Sequence, residues 1–376
     1  MENISKNLTN LVLILGLFLP ANNTVSLLLN ALLPIILLFG TPLFDKYRFE
    51  LISKIIVLVL IISFLGNYLF LHYHYNFKSI ARGVNLVLLF SLFPLNTFRL
   101  SNKVLLCSIL FILFSQLSFV FNFKSFLEII DTFYPYTGTE VYYTTKFITT
   151  SASRFGGIYR NPNQCSRYVS FLFMTYMINK RSIDRGSLTC ILVSLVSLLL
   201  CGSRTGFVVF LAFCLFFFIG RLGFLRMLPF ILFCPLLIIL GAQFFEFKYR
   251  AFELDTAVEG SLSQKIIWFC MFFDHLSNWF RICFGHGSSE LLSLYDDSIM
   301  LDSEWGEFFF NIGFIGCTAY LFFLIKCFFT VNMKYRPFFI FLLWAISSTI
   351  IFSFRMSFLF VLVLSLIYNN SLNSEQ

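Results

Sequence analysis

Residues 51–71 read LISKIIVLVLIISFLGNYLFL, and after Lys54 the stretch passes to its end without a charge. Each helical residue rises about 1.5 Å, so a run of this length covers most of the roughly 30 Å hydrocarbon core of a bilayer. Lipid offers no hydrogen bonds, so the backbone of such a run must satisfy itself, and a helix does that within one segment. Comparable runs recur along all 376 residues, which are 58% hydrophobic and 12% charged, about half the charged share of an average soluble domain. Because the apolar residues come in runs and not in alternation, the sequence specifies an all-α polytopic membrane protein.

Twelve candidate transmembrane helices lie near 8–21, 24–41, 55–71, 83–98, 104–121, 163–179, 187–202, 205–220, 227–244, 306–326, 337–354 and 356–369. The short connectors carrying Lys46, Arg48 and Lys54; Arg99 and Lys103; Lys180, Arg181 and Arg185; Arg221 and Arg226; and Lys326, Lys334 and Arg336 fall on alternate sides as one set. The positive-inside rule makes that side cytoplasmic. Both termini are then expected in the cytoplasm, with two large periplasmic loops at about 122–162 and 245–305. The first apolar run follows Lys6 alone and shows no small-residue cleavage site, so it reads as a retained helix. With no internal repeat and no low-complexity linker, residues 1–376 are expected to form a single integral-membrane domain.

The net charge of +8 would point to acidic partners in a soluble protein. Here about half of the lysines and arginines serve as topology signals, so the charge gives no case for nucleic acid. The ten cysteines lie mainly in apolar runs without CxxC spacing, as buried small side chains rather than a metal or disulfide framework. His72, His74, His275 and His286 show no HExxH or other tight metal spacing, and no nucleotide-binding motif is present, so neither a metal nor another cofactor is expected.

The outer side is chemically richer. In GGIYRNPNQCSRY, residues 156–168, Arg154 just upstream, Arg160 and Arg167 surround a turn in which Asn161 can cap a helix, Pro162 suits its first turn, and Asn163 and Gln164 present amides. Arg204 lies in CGSRTGF between two spans, where Gly202, Ser203, Thr205 and Gly206 free amides and hydroxyls at a helix start whose dipole favours an anion. Both patterns fit a diphosphate site. Both also fit plain helix capping, with arginines snorkelling to lipid headgroups.

The segment LSQKIIWFCMFFDHLSNWFRICF, 262–284, mixes Trp268, Trp279 and phenylalanines with Lys265, Asp274, His275 and Arg281, which reads as an amphipathic interfacial helix or a re-entrant segment. YDDSIMLDSEWGEFFFNIGFIG, 295–316, gathers Asp296, Asp297, Asp302, Glu304 and Glu307 before a span. These carboxylates can accept a proton from a sugar hydroxyl, grip sugar by hydrogen bonds, or form a solvated acidic loop. His286, in a glycine turn, is a further candidate for touching sugar.

Taken in order, GGIYRNPNQ, GSRTG, SQKIIWFCMFFDHLSNWFRICFGHG in a large outer loop and DSEWGEFFFNIGFIG at the next span resemble the O-antigen polymerase and O-antigen ligase superfamily of bacterial inner membranes, in particular its Wzy-type polymerases. The resemblance covers residues 150–325 and the topology of the chain. It implies a membrane-embedded, GT-C-like glycosyltransferase that needs no metal and uses an undecaprenyl-diphosphate-linked oligosaccharide at the periplasmic face. On this sequence Arg160 and Arg204 would neutralise the departing diphosphate, with Arg154 and Lys265 assisting. Asp302 would orient or deprotonate the attacking hydroxyl, with Glu304 as its substitute, and Asn161, Asn163, Arg250 and His286 would contact substrate. Membrane lipids and a chain-length regulator are the other expected partners. Ligases of the superfamily commonly carry a His-Asn type pair where this chain has Asp302-Ser303, which favours polymerase over ligase. Relatives place arginine where this chain has Lys265, and the two cations differ in bidentate phosphate recognition. A ligase acting on lipid A core, or a flippase of lipid-linked sugar, are the alternatives.

Overall fold

A computed structural model describes residues 2–19, 32–35, 51–70, 77–95, 100–133, 155–159, 161–180, 183–222, 279–285, 304–346, 350 and 353–372. Its helices are α1 (Glu2–Phe18), α2 (Leu51–Phe70), α3 (Phe77–Ser91), α4 (Asn102–Val120), α5 (Lys124–Phe133), α6 (Pro162–Asn179), α7 (Arg185–Cys201), α8 (Arg204–Leu222), α9 (Trp279–Phe284), α10 (Glu304–Thr330) and α11 (Phe354–Leu372). Gly157–Tyr159 and Met333–Ile346 are 3₁₀-helical. No strand occurs among the described residues.

Four segments are long and apolar enough to cross a membrane: Leu51–Leu69, Asn102–Val120, Phe309–Thr330 and Arg355–Leu372. Asn7–Phe18, Ile80–Ser91, Arg185–Cys201 and Thr205–Gly220 are shorter apolar helices. The expected span at 227–244, most of the span at 24–41 and most of the expected outer loop at 245–305 lie outside the described residues. In place of the expected α-helix from 337, Met333–Ile346 winds as a 3₁₀ helix with Pro337 inside it. At about 2.0 Å per residue that tighter winding stretches fourteen residues over roughly 28 Å. The first large connector is not all loop, because Lys124–Phe133 forms α5, whose Phe126 packs edge-on against Phe114 at 4.9 Å.

The chain divides into two compact units. Unit 1 comprises Met1–Arg99, Val258–Asn332 and Ala345–Gln376; unit 2 comprises Leu100–Ala257 and Met333–Trp344.

Unit 1 is built around α11, buried without interruption from 355 to 368. Its neighbours are α1, α3 and α10. In α11 the serines recur eight residues apart, close to two helical turns, so Ser357 and Ser365 line one face. Asn85 Nδ2 donates to Ser357 Oγ at 3.0 Å, and the Leu95 N–H donates to Ser365 Oγ at 2.9 Å. These two bonds set α3 parallel to α11. Phe93 fills the space beside them, 4.8 Å from Phe323 and 5.5 Å from Tyr368.

The GxxG pattern at Gly313 and Gly316 falls inside the expected span at 306–326; in the structure Gly313 breaks α10 at φ 62°, ψ −169°. That break interrupts the backbone ladder, and α2 supplies polar groups beside it. Ser63 Oγ donates to Asn311 O at 2.9 Å, while Asn67 Nδ2 donates to Ser63 O at 2.7 Å and to Gly285 O at 2.9 Å. Irregular backbone persists in an apolar span only when protein groups take up its hydrogen bonds.

Unit 2 is centred on α6, in which fifteen of eighteen residues are buried. Ser170 and Thr175 return their hydroxyls to Ser166 O and Phe171 O, both at 2.8 Å, so these polar side chains are satisfied without water. Phe173 meets Phe210 and Phe213 of α8 at 4.6 and 5.5 Å, and Phe171 meets Phe341 of the 3₁₀ helix at 5.5 Å. At one end Asn179 Nδ2 ties α6 to Leu100 O at 2.7 Å. Beyond that end Asp184 caps α7, accepting from the Ser187 N–H at 2.9 Å and pairing with Lys180.

The Lys180 ammonium, and then the Ser187 N–H, hold the Asp184 carboxyl down at about 2. Its unfolded value is about 3.9. A depressed folded value means the stabilisation is complete above about pH 4 and is lost as pH falls toward 2. Hydrogen exchange at the Ser187 amide should therefore accelerate below about pH 4 more than global unfolding accounts for. In Asp184→Asn that extra acceleration should be absent.

Candidate functional site

The opposite end of unit 2 holds the GGIYRNPN turn, and the structure shows what fixes it. Gln116, fully buried in the apolar run of α4, donates through Nε2 to Phe155 O at 3.0 Å and Ser197 O at 3.1 Å. Its Oε1 accepts from Ser197 Oγ at 2.5 Å. The Phe155 N–H donates to Leu200 O at 2.9 Å, and the Ile158 N–H to Ser115 Oγ at 3.3 Å. Residues 155–159 are thereby stitched to the ends of α4 and α7. Gly157 sits at φ +57°, with a Cβ there only 2.3 Å from Ser115 Oγ, so only glycine lets the turn lie this close to α4.

From that pedestal Tyr159 stacks on Tyr168 at 4.3 Å and 10°. Asn161 then caps α6, its Oδ1 accepting from the N–H groups of Asn163 at 2.9 Å and Gln164 at 3.4 Å, with Pro162 in the first turn. Arg167, only 3% exposed, lies one turn on, its guanidinium carbon 6.0 Å from the Tyr168 ring centre. A cation so buried in an apolar helix is a functional signal in its own right.

α8 starts at the same end. Gly202 closes α7 in the left-handed conformation, its N–H donating to Leu198 O and Leu199 O at 3.1 Å each. Ser203 Oγ accepts from the Gly206 N–H at 3.4 Å, and Arg204 is the first residue of α8. A Cβ on Gly206 would stand 2.9 Å from the Ser166 Cβ, so the first turn of α8 touches α6 at the start of its second turn. Two helix N-termini thus converge, each with a hydroxyl or amide cap and each opening beside an arginine in the sequence. Aligned N–H groups and two positive dipole ends make this a place where an oxyanion is stabilised.

Of the expected site residues, the structure brings Asn161, Asn163 and the backbone of Arg204 to this one end of unit 2. Glu304 begins α10 in unit 1. The side chains of Arg204 and Glu304, and the whole of Arg154, Arg160, Arg250, Lys265, His286 and Asp302, lie outside the described residues. Gln116 and the buried Arg355 of α11 were passed over in the sequence, although a polar residue inside an apolar run was the available signal in both. The expected helix at 262–284 is described only over α9, where Trp279 is 72% exposed and Phe280 covers Gly66.

Gln116→Leu keeps the volume of the side chain and removes its polar groups. It strips a partner from Phe155 O, Ser197 O and Ser197 Oγ, and should cost about 2 kcal/mol, given a net worth near 1 kcal/mol per bond and less inside membranes. Thermal unfolding in detergent would register the loss, and limited proteolysis should cut the 150–160 region faster.

All-helical secondary structure among the described residues, with four helices long and apolar enough to cross a membrane, defines a helical membrane protein. No family model and no curated protein matches the chain.

Proposed function

We propose that the protein is a Wzy-type O-antigen polymerase of a bacterial inner membrane, working at the periplasmic face. The convergence of the α6 and α8 N-termini at Asn161 and Arg204 carries this reading, because a lipid diphosphate is the anion such a site suits. The resemblance of 150–325 to the O-antigen polymerase and ligase superfamily supplies the chemistry.

In this reading the hydroxyl oxygen of the incoming lipid-linked repeat unit attacks the anomeric carbon of the growing chain. The bond from that carbon to the diphosphate oxygen breaks, and the diphosphate leaves with the electron pair. Charge therefore builds on the leaving group, where Arg204, Arg160 and the two helix starts would stabilise it. Asp302 accepts or orients the proton of the attacking hydroxyl, with Glu304 in reserve; Arg154, Lys265, Arg250, Asn163 and His286 contact substrate. Asp302→Asn should slow polymerisation about 100-fold or more if the carboxylate takes the proton, and only several-fold if it orients the sugar.

Gene deletion with plasmid rescue tests the reading, with lipopolysaccharide run on a gel. A core carrying a single repeat unit and no ladder supports polymerase. A bare core with long lipid-linked polymer would make the protein a ligase, and unpolymerised carrier stranded inside the cell would make it a flippase.

A further inference from the structure

Cys165 lies just past the Asn161 cap, near the start of α6, and Cys201 is the last residue of α7. Both are fully buried, and both are free thiols in the structure. Their side chains hydrogen-bond to each other. They also share a neighbour in the same unit, because Gln116 Nε2 stands 3.4 Å from Cys165 Sγ and 3.1 Å from Cys201 Sγ. That nitrogen carries two hydrogens, and Phe155 O and Ser197 O are the stronger acceptors for them. Joining the two sulfurs therefore forfeits little hydrogen bonding, and it removes two S–H groups from a dry interior. A disulfide needs its sulfurs about 2.05 Å apart, and here they start in contact.

We propose that Cys165 and Cys201 are joined by a disulfide in the cell, a staple that holds the start of α6 to the end of α7 beneath the GGIYRNPN turn. Gly202 and Ser203 follow Cys201 directly, so the staple also fixes where α8 begins relative to α6. The co-reactant is a disulfide of the oxidising compartment. One cysteine thiolate attacks it, forming a mixed disulfide and releasing one thiol. The second cysteine thiolate then attacks the bound sulfur and releases the other. Two protons and two electrons pass from the cysteines to the oxidant, which becomes a pair of thiols. Both sulfurs are fully buried once packed, so the exchange belongs to folding, before α6 and α7 close. The inference rests on the proposed outward side of this turn, because disulfides persist in oxidising compartments. It does not rest on polymerase chemistry.

The test uses the full chain in growing cells, quenched with acid, denatured and alkylated with N-ethylmaleimide before digestion and mass spectrometry. A peptide pair joined through Cys165 and Cys201 should appear two hydrogens below the summed mass and vanish on reduction. Cys190, on the same helix as Cys201, should carry the alkyl group. Closing a loop of about 36 residues also constrains the unfolded chain, so protein from cells grown with a thiol reductant should melt about 5 °C or more lower in detergent. In Cys165→Ala that difference should vanish, whatever the variant's own midpoint. An epitope tag placed in the 122–162 connector and probed on intact spheroplasts reports the side separately. Alkylated Cys165 and Cys201 in wild type, a link from either to another cysteine, or a midpoint indifferent to the reductant would overturn the staple. If the tag is then reachable from outside, the outward reading of the turn stands without it; if the tag is shielded, both fall.

Discussion

Arg204→Ala should leave the protein inserted in the membrane and abolish the long-chain ladder. The residue opens α8, and truncating it at Cβ leaves in place the bonds from Gly202 and Ser203 that shape the turn. What it removes is a fixed positive charge where the proposed leaving group gathers negative charge. Loss of one such donor typically costs about 100- to 1,000-fold in rate, enough to erase a product that requires many successive transfers. Arg160→Ala should do the same. Arg204→Lys should keep shortened chains, because an ammonium restores the charge and not the two-pronged contact of a guanidinium. Wild-type chain length in both alanine variants would remove the diphosphate site from the proposal, and full activity in Arg204→Lys would reduce the residue to background charge.

Gly285→Ala should be strongly destabilising in unit 1. Gly285 holds φ +72°, and a Cβ there would stand 2.4 Å from the Asn311 carbonyl carbon and 2.5 Å from the Ile312 nitrogen. Gly313 makes the reciprocal contact, since its Cβ would lie 2.4 Å from the Cys283 carbonyl. The obstacles are backbone on both sides, so no rotamer change relieves them. A left-handed conformation costs an alanine about 1 kcal/mol, and overpacking against fixed atoms adds about 1–3 more. The expected loss is about 3 kcal/mol, read as a lower unfolding midpoint in detergent. Gly220→Ala should go the other way, gaining up to about 1 kcal/mol, because its Cβ meets nothing within 4 Å in a helix. If Gly285→Ala melted like wild type, the interlock between residue 285 and the α10 break would not exist.

Some of this was legible in the residues. The cap at Asn161, the proline after it and the glycine closing α7 follow from local rules, because each acts within one helical turn. The pedestal beneath the GGIYRNPN turn was not legible. Gln116 lies 39 residues from Phe155 and 81 from Ser197, and no periodicity links positions so far apart. The GxxG at Gly313 lies inside the expected span at 306–326, whereas its role as the break within α10 depends on α9 coming alongside. Arg355 was grouped with no site, because a lone arginine near a span boundary looks the same whether it faces headgroups or is buried.

The sequence by itself determined that the chain is helical and built for a membrane, because long runs without charge leave the backbone only one way to satisfy its hydrogen bonds in lipid. It also determined where several helices begin and end, since caps are local chemistry. Only the tertiary structure decided which helix starts meet and which polar side chains lose water. Among the described residues it joined α6 to α8 through the close approach of Gly206 and Ser166, and it buried Arg355 and Asn85 at the head of α11. Burial and convergence are set by packing between residues distant in sequence, and no local pattern encodes those contacts.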